Sequence, residues 1–283
     1  MKISDMIDFL HENMSYPTLV RELLSVKREI LPVRVRFGKG RDRYILHYAP
    51  KHPVSDKVIL WVHGGGWYSG SPRAFDAVGQ CIAGAGYHFV SIGYRLAPFN
   101  KYPRQIIDVC RGFECAMEHL EDMGIDTSKV IVTGSSAGAH LASILCYSRS
   151  VQRKMAVDAS GIIGCIGIGG PYSFSTDRTG PMIRLMLAML FKKGYDRRRS
   201  EPLYLMGKSR IPMLLIQSKH DGLISFGCAE DMCKKAARIG CSFELYPLTE
   251  KRYTHSMYTI GTFTHTRDES PVLDKFLSWI EAL

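Results

Sequence analysis

One stretch restricts this chain more than any other: Val130-Ile131-Val132-Thr133-Gly134-Ser135-Ser136-Ala137-Gly138-Ala139-His140. A β-branched run suited to a buried strand breaks into Gly-Ser-Ser-Ala-Gly and resumes as Leu141-Ala142-Ser143-Ile144-Leu145, the composition of a buried helix. A serine between small residues at a strand-to-helix turn is the nucleophile-elbow arrangement. The turn is tight, so Gly134 and Gly138 must leave room for the backbone to reverse. The strain holds the Ser136 hydroxyl out beyond the strand end. The helix that follows points its free N–H groups and positive dipole end at any oxyanion formed there.

The 283 residues fit one α/β domain, 1–283, with an N-terminal helical arm at 1–32 and a cap insertion at 171–205. The arm carries Asp5 and Asp8 and no apolar core of a leader peptide, and no apolar run is long enough to span a membrane. The eight cysteines are scattered without metal-type spacing and read as reduced thiols of a cytoplasmic protein. The net charge of +10 is spread along the chain, apart from Lys192-Lys193 and Arg197-Arg198-Arg199. With no nucleic-acid motif beside it, that charge reads as a solvated basic face, and no nucleic-acid partner is expected.

Along the chain, strands alternate with helices, which makes a mostly parallel sheet with helices on both faces. The arm over 4–29 shows helical spacing at Met6, Ile7, Leu10, Leu19, Leu23 and Leu24, and is expected to break at Tyr16-Pro17. Strands are expected at 33–37, 44–48, 57–62, 87–94, 130–135, 161–170, 211–218 and 242–246. Helices are expected at 73–84, 104–123, 136–149, 225–239 and 271–282. Within the insertion, Pro181 and the residues up to Phe191 form a helix apolar nearly all round, placed where caps sit and rich in adaptable methionines.

After the strand Val58-Ile59-Leu60-Trp61-Val62 comes His63-Gly64-Gly65-Gly66-Trp67. Three consecutive glycines are costly in entropy unless main-chain N–H groups must approach a substrate oxygen closely. His63 is expected to hold this loop rather than act as a base, and Trp67 to contact substrate.

A serine hydroxyl needs a base, and the base an orienting acid. In the chain order nucleophile, acid, base, the acid follows a late strand and the base the last one. Asp221 follows 211–218, and His255 follows 242–246. Glu250 competes as acid, and His140 and His265 compete as base; His220 adjoins Asp221 but points elsewhere.

The chain resembles the α/β-hydrolase superfamily, in its esterase/lipase branch of the hormone-sensitive-lipase and acetyl-xylan/feruloyl-esterase kind. The residues that carry the likeness are His63-Gly64-Gly65-Gly66-Trp67, Tyr94-Arg95-Leu96-Ala97-Pro98 with Tyr102-Pro103, Gly134 to Gly138, and Asp221-Gly222-Leu223-Ile224. The resemblance implies an α/β-hydrolase fold, with Ser136 as nucleophile, Asp221 as acid, His255 as base, and an oxyanion hole from the N–H groups of Gly65, Gly66 and Ala137. It implies a serine carboxylesterase acting on short-chain or carbohydrate-linked esters, acetyl or feruloyl, as small molecules or oligosaccharides. No metal or organic cofactor is called for, and the protein is expected to be a monomer or homodimer. Two features depart from many members: Ser135 stands where an Asp often precedes the nucleophile, and Ser256-Met257, not Gly-Phe, follows His255. Ser136-Ala137-Gly138-Ala139-His140 is also similar to arylformamidase relatives, so an amidase or peptidase is the alternative, with a non-catalytic binding protein behind it.

Overall fold

In the computed structural model, which describes residues 3–175 and 180–283, the continuous apolar runs lie side by side as one eight-stranded sheet. The strands are β1 (Val33–Arg36), β2 (Tyr44–Tyr48), β3 (Val58–Val62), β4 (His88–Ile92), β5 (Val130–Ser135), β6 (Ile162–Ile168), β7 (Met213–Ser218) and β8 (Phe243–Leu248). Their order is β1-β2-β4-β3-β5-β6-β7-β8. Only β1 on β2 and β2 on β4 are antiparallel; the remaining pairings are parallel.

The helices are α1 (Ile3–Ser25), α2 (Asp76–Gly84), α3 (Arg104–Asp122), α4 (Ala137–Tyr147), α5 (Arg149–Met155), α6 (Pro181–Leu190), α7 (Pro202–Leu205), α8 (Phe226–Arg238), α9 (His255–Thr259) and α10 (Pro271–Glu281). Strand alternation sorts the core into two layers. Val58, Leu60, Val62, Val130 and Val132 face α3, α4 and α8, whereas Ile59, Trp61 and Ile131 face α2 and α10. The parallel strands therefore end together, and the loops beyond their carboxyl ends gather there, where open α/β sheets bind ligands.

Two expectations need correction. The arm does not break at Pro17: α1 runs through it as one helix of 23 residues. It is held on both sides of the proline, by Glu12 and Ser15 before it and by buried Leu19 after it. The expected helix 136–149 divides in two, because Ser148 leaves helical geometry and its hydroxyl accepts from Val151 N, starting α5. His255 lies past β8, as expected, and is the first residue of the short helix α9. Residues 1–2 of the arm and 176–179 of the expected cap lie outside the described residues.

Candidate active site

Ser136 stands between β5 and α4 at φ 53° and ψ −123°, in the positive-φ region that L-residues rarely enter. Close backbone packing forces this turn. A Cβ on Gly138 would lie 1.9 Å from Val62 O, and one on Gly134 would lie 2.6 Å from Gly138 C. The Ser136 N–H is tied to Ile168 O at 2.8 Å, which fixes Ser136 against the end of β6.

The glycine loop lies directly beside it. A Cβ on Gly64 would meet Ser135 O at 3.0 Å and Ser136 Cβ at 3.4 Å. Gly65 and Gly66 take φ +107° and +59°. Among the described residues no main-chain carbonyl takes the N–H of Gly65 or Gly66. Ala137, at the first position of α4, likewise has an N–H with no acceptor inside its helix. Gly64 thus sets the glycine loop against Ser136, and the N–H groups of Gly65, Gly66 and Ala137 have no main-chain acceptor among the described residues.

The stretch 94–98 braces the loop. Tyr94 stacks on His63 at 4.2 Å and 9°, and its hydroxyl donates to His63 O at 3.0 Å. Ala97 N donates to Trp67 O at 2.9 Å. Arg95 is itself clamped by buried Asp108, through Nε at 2.6 Å and Nη2 at 2.8 Å. His63 holds the loop as expected, its Nδ1–H donating to Gly64 O at 2.8 Å. Burial lowers its pKa to about 4, although the carbonyl bond works the other way.

Trp67 is a correction. It is 1% exposed, so its ring presents nothing to a substrate. Its Nε1–H donates to His140 Nδ1 at 3.3 Å, and its ring meets Phe174 edge-on. His140, in turn, is excluded as a base. Its Nε2–H donates to Ser200 O at 2.7 Å, and burial lowers its pKa to about 4.

Asp221 and His255 come together after β7 and β8. His255 Nδ1 donates to Asp221 Oδ2 at 2.7 Å, and the Asp221 side chain is fully buried. The same oxygen accepts from Tyr258 Oη at 2.6 Å and Gln217 Nε2 at 3.2 Å. Oδ1 accepts from the N–H groups of Leu223 and Ile224 at 2.8 and 2.7 Å. Five donors keep this carboxylate in one orientation and set the histidine tautomer. Burial works against the charged imidazole, but the charge and hydrogen bond of Asp221, with Glu12 adding, hold the His255 pKa above its ordinary value.

His255 also reaches the nucleophile edge. Its Cε1 lies 3.2 Å from where a Cβ on Gly169 would stand, and Gly169 follows the Ile168 carbonyl that binds Ser136. With Nδ1 taken by Asp221, Nε2 is the ring nitrogen left free, and among the described residues it makes no hydrogen bond to the Ser136 hydroxyl.

The rival residues lie elsewhere. Glu250 pairs with Arg252, His265 with Glu22, and His220 with Asp8 on α1. Sequence reasoning missed Tyr258 and Glu12. Tyr258 is three residues after the base, a spacing that shares a helix face. Glu12 leaves no local signal, since its partner Ser256 is 244 residues away.

The BD-FAE family model matches residues 46–235 of this chain. Among curated proteins, Esterase LipC of Mycobacterium tuberculosis is 28% identical over 181 residues, 59% of this chain and 45% of LipC. Ethyl acetate hydrolase of Pseudomonas putida is 35% identical over 104 residues, 36% of this chain and 33% of that protein. The chain therefore spans less than half the length of either relative. The structure of a hormone-sensitive lipase from a metagenome library superposes with a TM-score of 0.72 at 19% identity, covering 96% of this chain and 92% of that one. That likeness is one of fold.

Proposed function

This chain belongs to the BD-FAE family and has the α/β-hydrolase fold, and from that premise we propose that it is a serine carboxylesterase with Ser136, Asp221 and His255 as its triad. One observation carries the reading: the Asp221–His255 pair arrives at the Ile168–Gly169 edge that also holds Ser136, beside glycine N–H groups with no carbonyl of their own.

In the proposed reaction His255 Nε2 takes the Ser136 proton as Oγ attacks the ester carbonyl. The N–H groups of Gly65, Gly66 and Ala137 receive the oxyanion. The C–O bond to the alcohol breaks, and His255 returns its proton to the leaving oxygen. Water, deprotonated by His255, then attacks the acyl-Ser136, the acyl C–Oγ bond breaks, and His255 returns the proton to Ser136 Oγ as the acid leaves. Asp221 keeps the imidazolium oriented throughout.

The substrate class we propose is a short-chain or carbohydrate-linked ester, acetyl or feruloyl. Ethyl acetate hydrolase, by its name, acts on an ester of this small kind. We propose α6 as part of a cap over the acyl end. Met186 Sδ lies 3.0 Å from the Cβ position of Gly66, and Leu190 O accepts from Tyr102 N at 2.9 Å.

Hydrolysis of p-nitrophenyl acetate and labelling by a fluorophosphonate test the reading together. Ser136→Ala is expected to abolish both while circular dichroism is unchanged. A folded Ser136→Ala protein that still turns over or labels would remove Ser136 from its role.

A further inference from the structure

Most of the apolar residues of α1 do not dock: Leu19 is buried, but the first half of the helix turns a polar side inward. Met6, Ile7, Leu10, Met14 and Leu24 point outward, Met14 and Leu24 at 76% and 78% exposure. The side turned inward carries Asp8, Glu12, Ser15 and Leu19. Helices ordinarily bury their apolar stripe, and burying a carboxylate is costly unless it is hydrogen-bonded. Glu12 is only 6% exposed. Its Oε1 accepts from Ser256 N at 3.0 Å, and the Ser256 hydroxyl donates to the same oxygen. Three residues on, Ser15 Oγ meets Thr254 Oγ1 at 2.8 Å.

We infer that Glu12 is a positioning residue for the base, holding Ser256 on one side of His255 while Ser15 holds Thr254 on the other, so that the ring stays aligned with Asp221 and Ser136. The inference rests on reading His255 as the general base. The same helix meets the acid loop. His220 Nδ1 pairs with Asp8 Oδ1 at 3.3 Å, and a Cβ on Gly222 would fall 2.6 Å from Asp8 O. One helix therefore touches the loops of both acid and base.

The groups facing the His255 ring are Asp221 from the loop after β7, Tyr258 from its own helix, and Glu12 from α1. Glu12 adds negative charge that favours the protonated ring, so its charge and its hydrogen bonds can be separated by substitution. Glu12→Gln keeps an acceptor for Ser256 N–H and removes the charge. Glu12→Ala removes both.

The test measures kcat and KM for p-nitrophenyl acetate against pH, and titrates His255 by NMR. Glu12→Ala is expected to lower kcat by ~10- to 100-fold, with KM changed far less, as a misaligned base would. Glu12→Gln is expected to recover most of that loss at its plateau, yet to move the acid limb and the His255 titration to lower pH. A mere brace for the fold would leave both titrations where they are. Superimposable profiles and an unmoved His255 titration in Glu12→Gln overturn the inference, whether or not Glu12→Ala folds. A wild-type chain with no esterase activity would instead strike the functional reading, and the NMR titration would still decide the role of Glu12.

Discussion

The indole of Trp67 and the imidazole of His140 form one buried hydrogen-bonded unit, Nε1–H to Nδ1 across 3.3 Å, that ties the glycine loop to α4, the helix Ser136 caps. His140 completes the link by donating to Ser200 O, inside the insertion. The unit is a strut, and this sets the first prediction. His140→Ala leaves a buried indole N–H and a buried carbonyl unpaired, at about 1–3 kcal/mol each, and opens a cavity as well. Urea unfolding should show a loss of about 3 kcal/mol or more. Fluorophosphonate labelling at low temperature should persist, because no proton passes through His140. Loss of labelling in a folded His140→Ala protein would return His140 to the list of bases.

Asp221 supplies the second prediction. Asp221→Asn keeps the shape but places an amide where Nδ1–H needs an acceptor, so the imidazole turns to the wrong tautomer. The matching change in the serine-protease triad lowers kcat by ~10,000-fold, and a loss of that order is expected here. Asp221 is also the main influence raising the His255 pKa against burial. In the wild type the base must shed its proton to act, so kcat/KM should rise with pH through a midpoint above 6.5. In Asp221→Asn that midpoint should fall. A wild-type acid limb below 6.5 would contradict the Asp221–His255 geometry.

Glycine substitutions separate steric need from simple tolerance. The Gly138 Cβ position lies 1.9 Å from Val62 O and 2.6 Å from His63 O, both backbone atoms that cannot swing aside. Gly138→Ala should destabilise by more than about 4 kcal/mol or give no soluble protein, since β3 and α4 must separate. Gly84, exposed at the end of α2, has nothing within 4 Å of its Cβ position. Gly84→Ala should be stabilising by about 0.5–1 kcal/mol through helix propensity. Thermal unfolding of the two variants measures the contrast directly, and a Gly138→Ala protein of wild-type Tm would refute the close approach.

The elements carrying the proposed triad were legible because their physics is local. Val58 to Val62 and Val130 to Ser135 read as doubly buried strands, and Gly134 and Gly138 as a turn short of space. Asp221 and His255 followed from where strands must end. What escaped depended on contacts distant in sequence. Trp67 read as a substrate residue from its place beside the glycine loop, yet Phe174 and His140 enclose it. The apolar spacing of α1 was read correctly as helical, but which face would dock was set by Thr254 and Ser256, far along the chain. Pro17 suggested a break because propensity is local, whereas the contacts on either side of it are not.

Buried histidines lead to the last prediction, an acid-labile fold. His47 sits between two others, with Nδ1 3.1 Å from His119 Nε2 and Nε2 3.0 Å from His88 Nδ1. Burial, then repulsion from a charged His88 or His119, lowers its pKa to about 4. Burial holds His63 and His140 at about 4 as well. Each is ordinary, near 6.5, once unfolded. Between pH 6.5 and 4 the unfolded chain therefore binds protons that the folded chain refuses, so stability falls as pH falls. Three such groups give a slope of up to roughly 4 kcal/mol per pH unit. His255 has the opposite sign: its raised pKa contributes stability that is lost only as pH rises through the folded value, above this window. Urea unfolding at pH 7.5, 6.0 and 5.0 should show the decline, with proton uptake on unfolding. His47→Phe should flatten the slope by about one proton, by removing the group its neighbours repel. An unfolding free energy constant across this range would mean that these imidazoles charge freely in the folded state, and so are not enclosed as described.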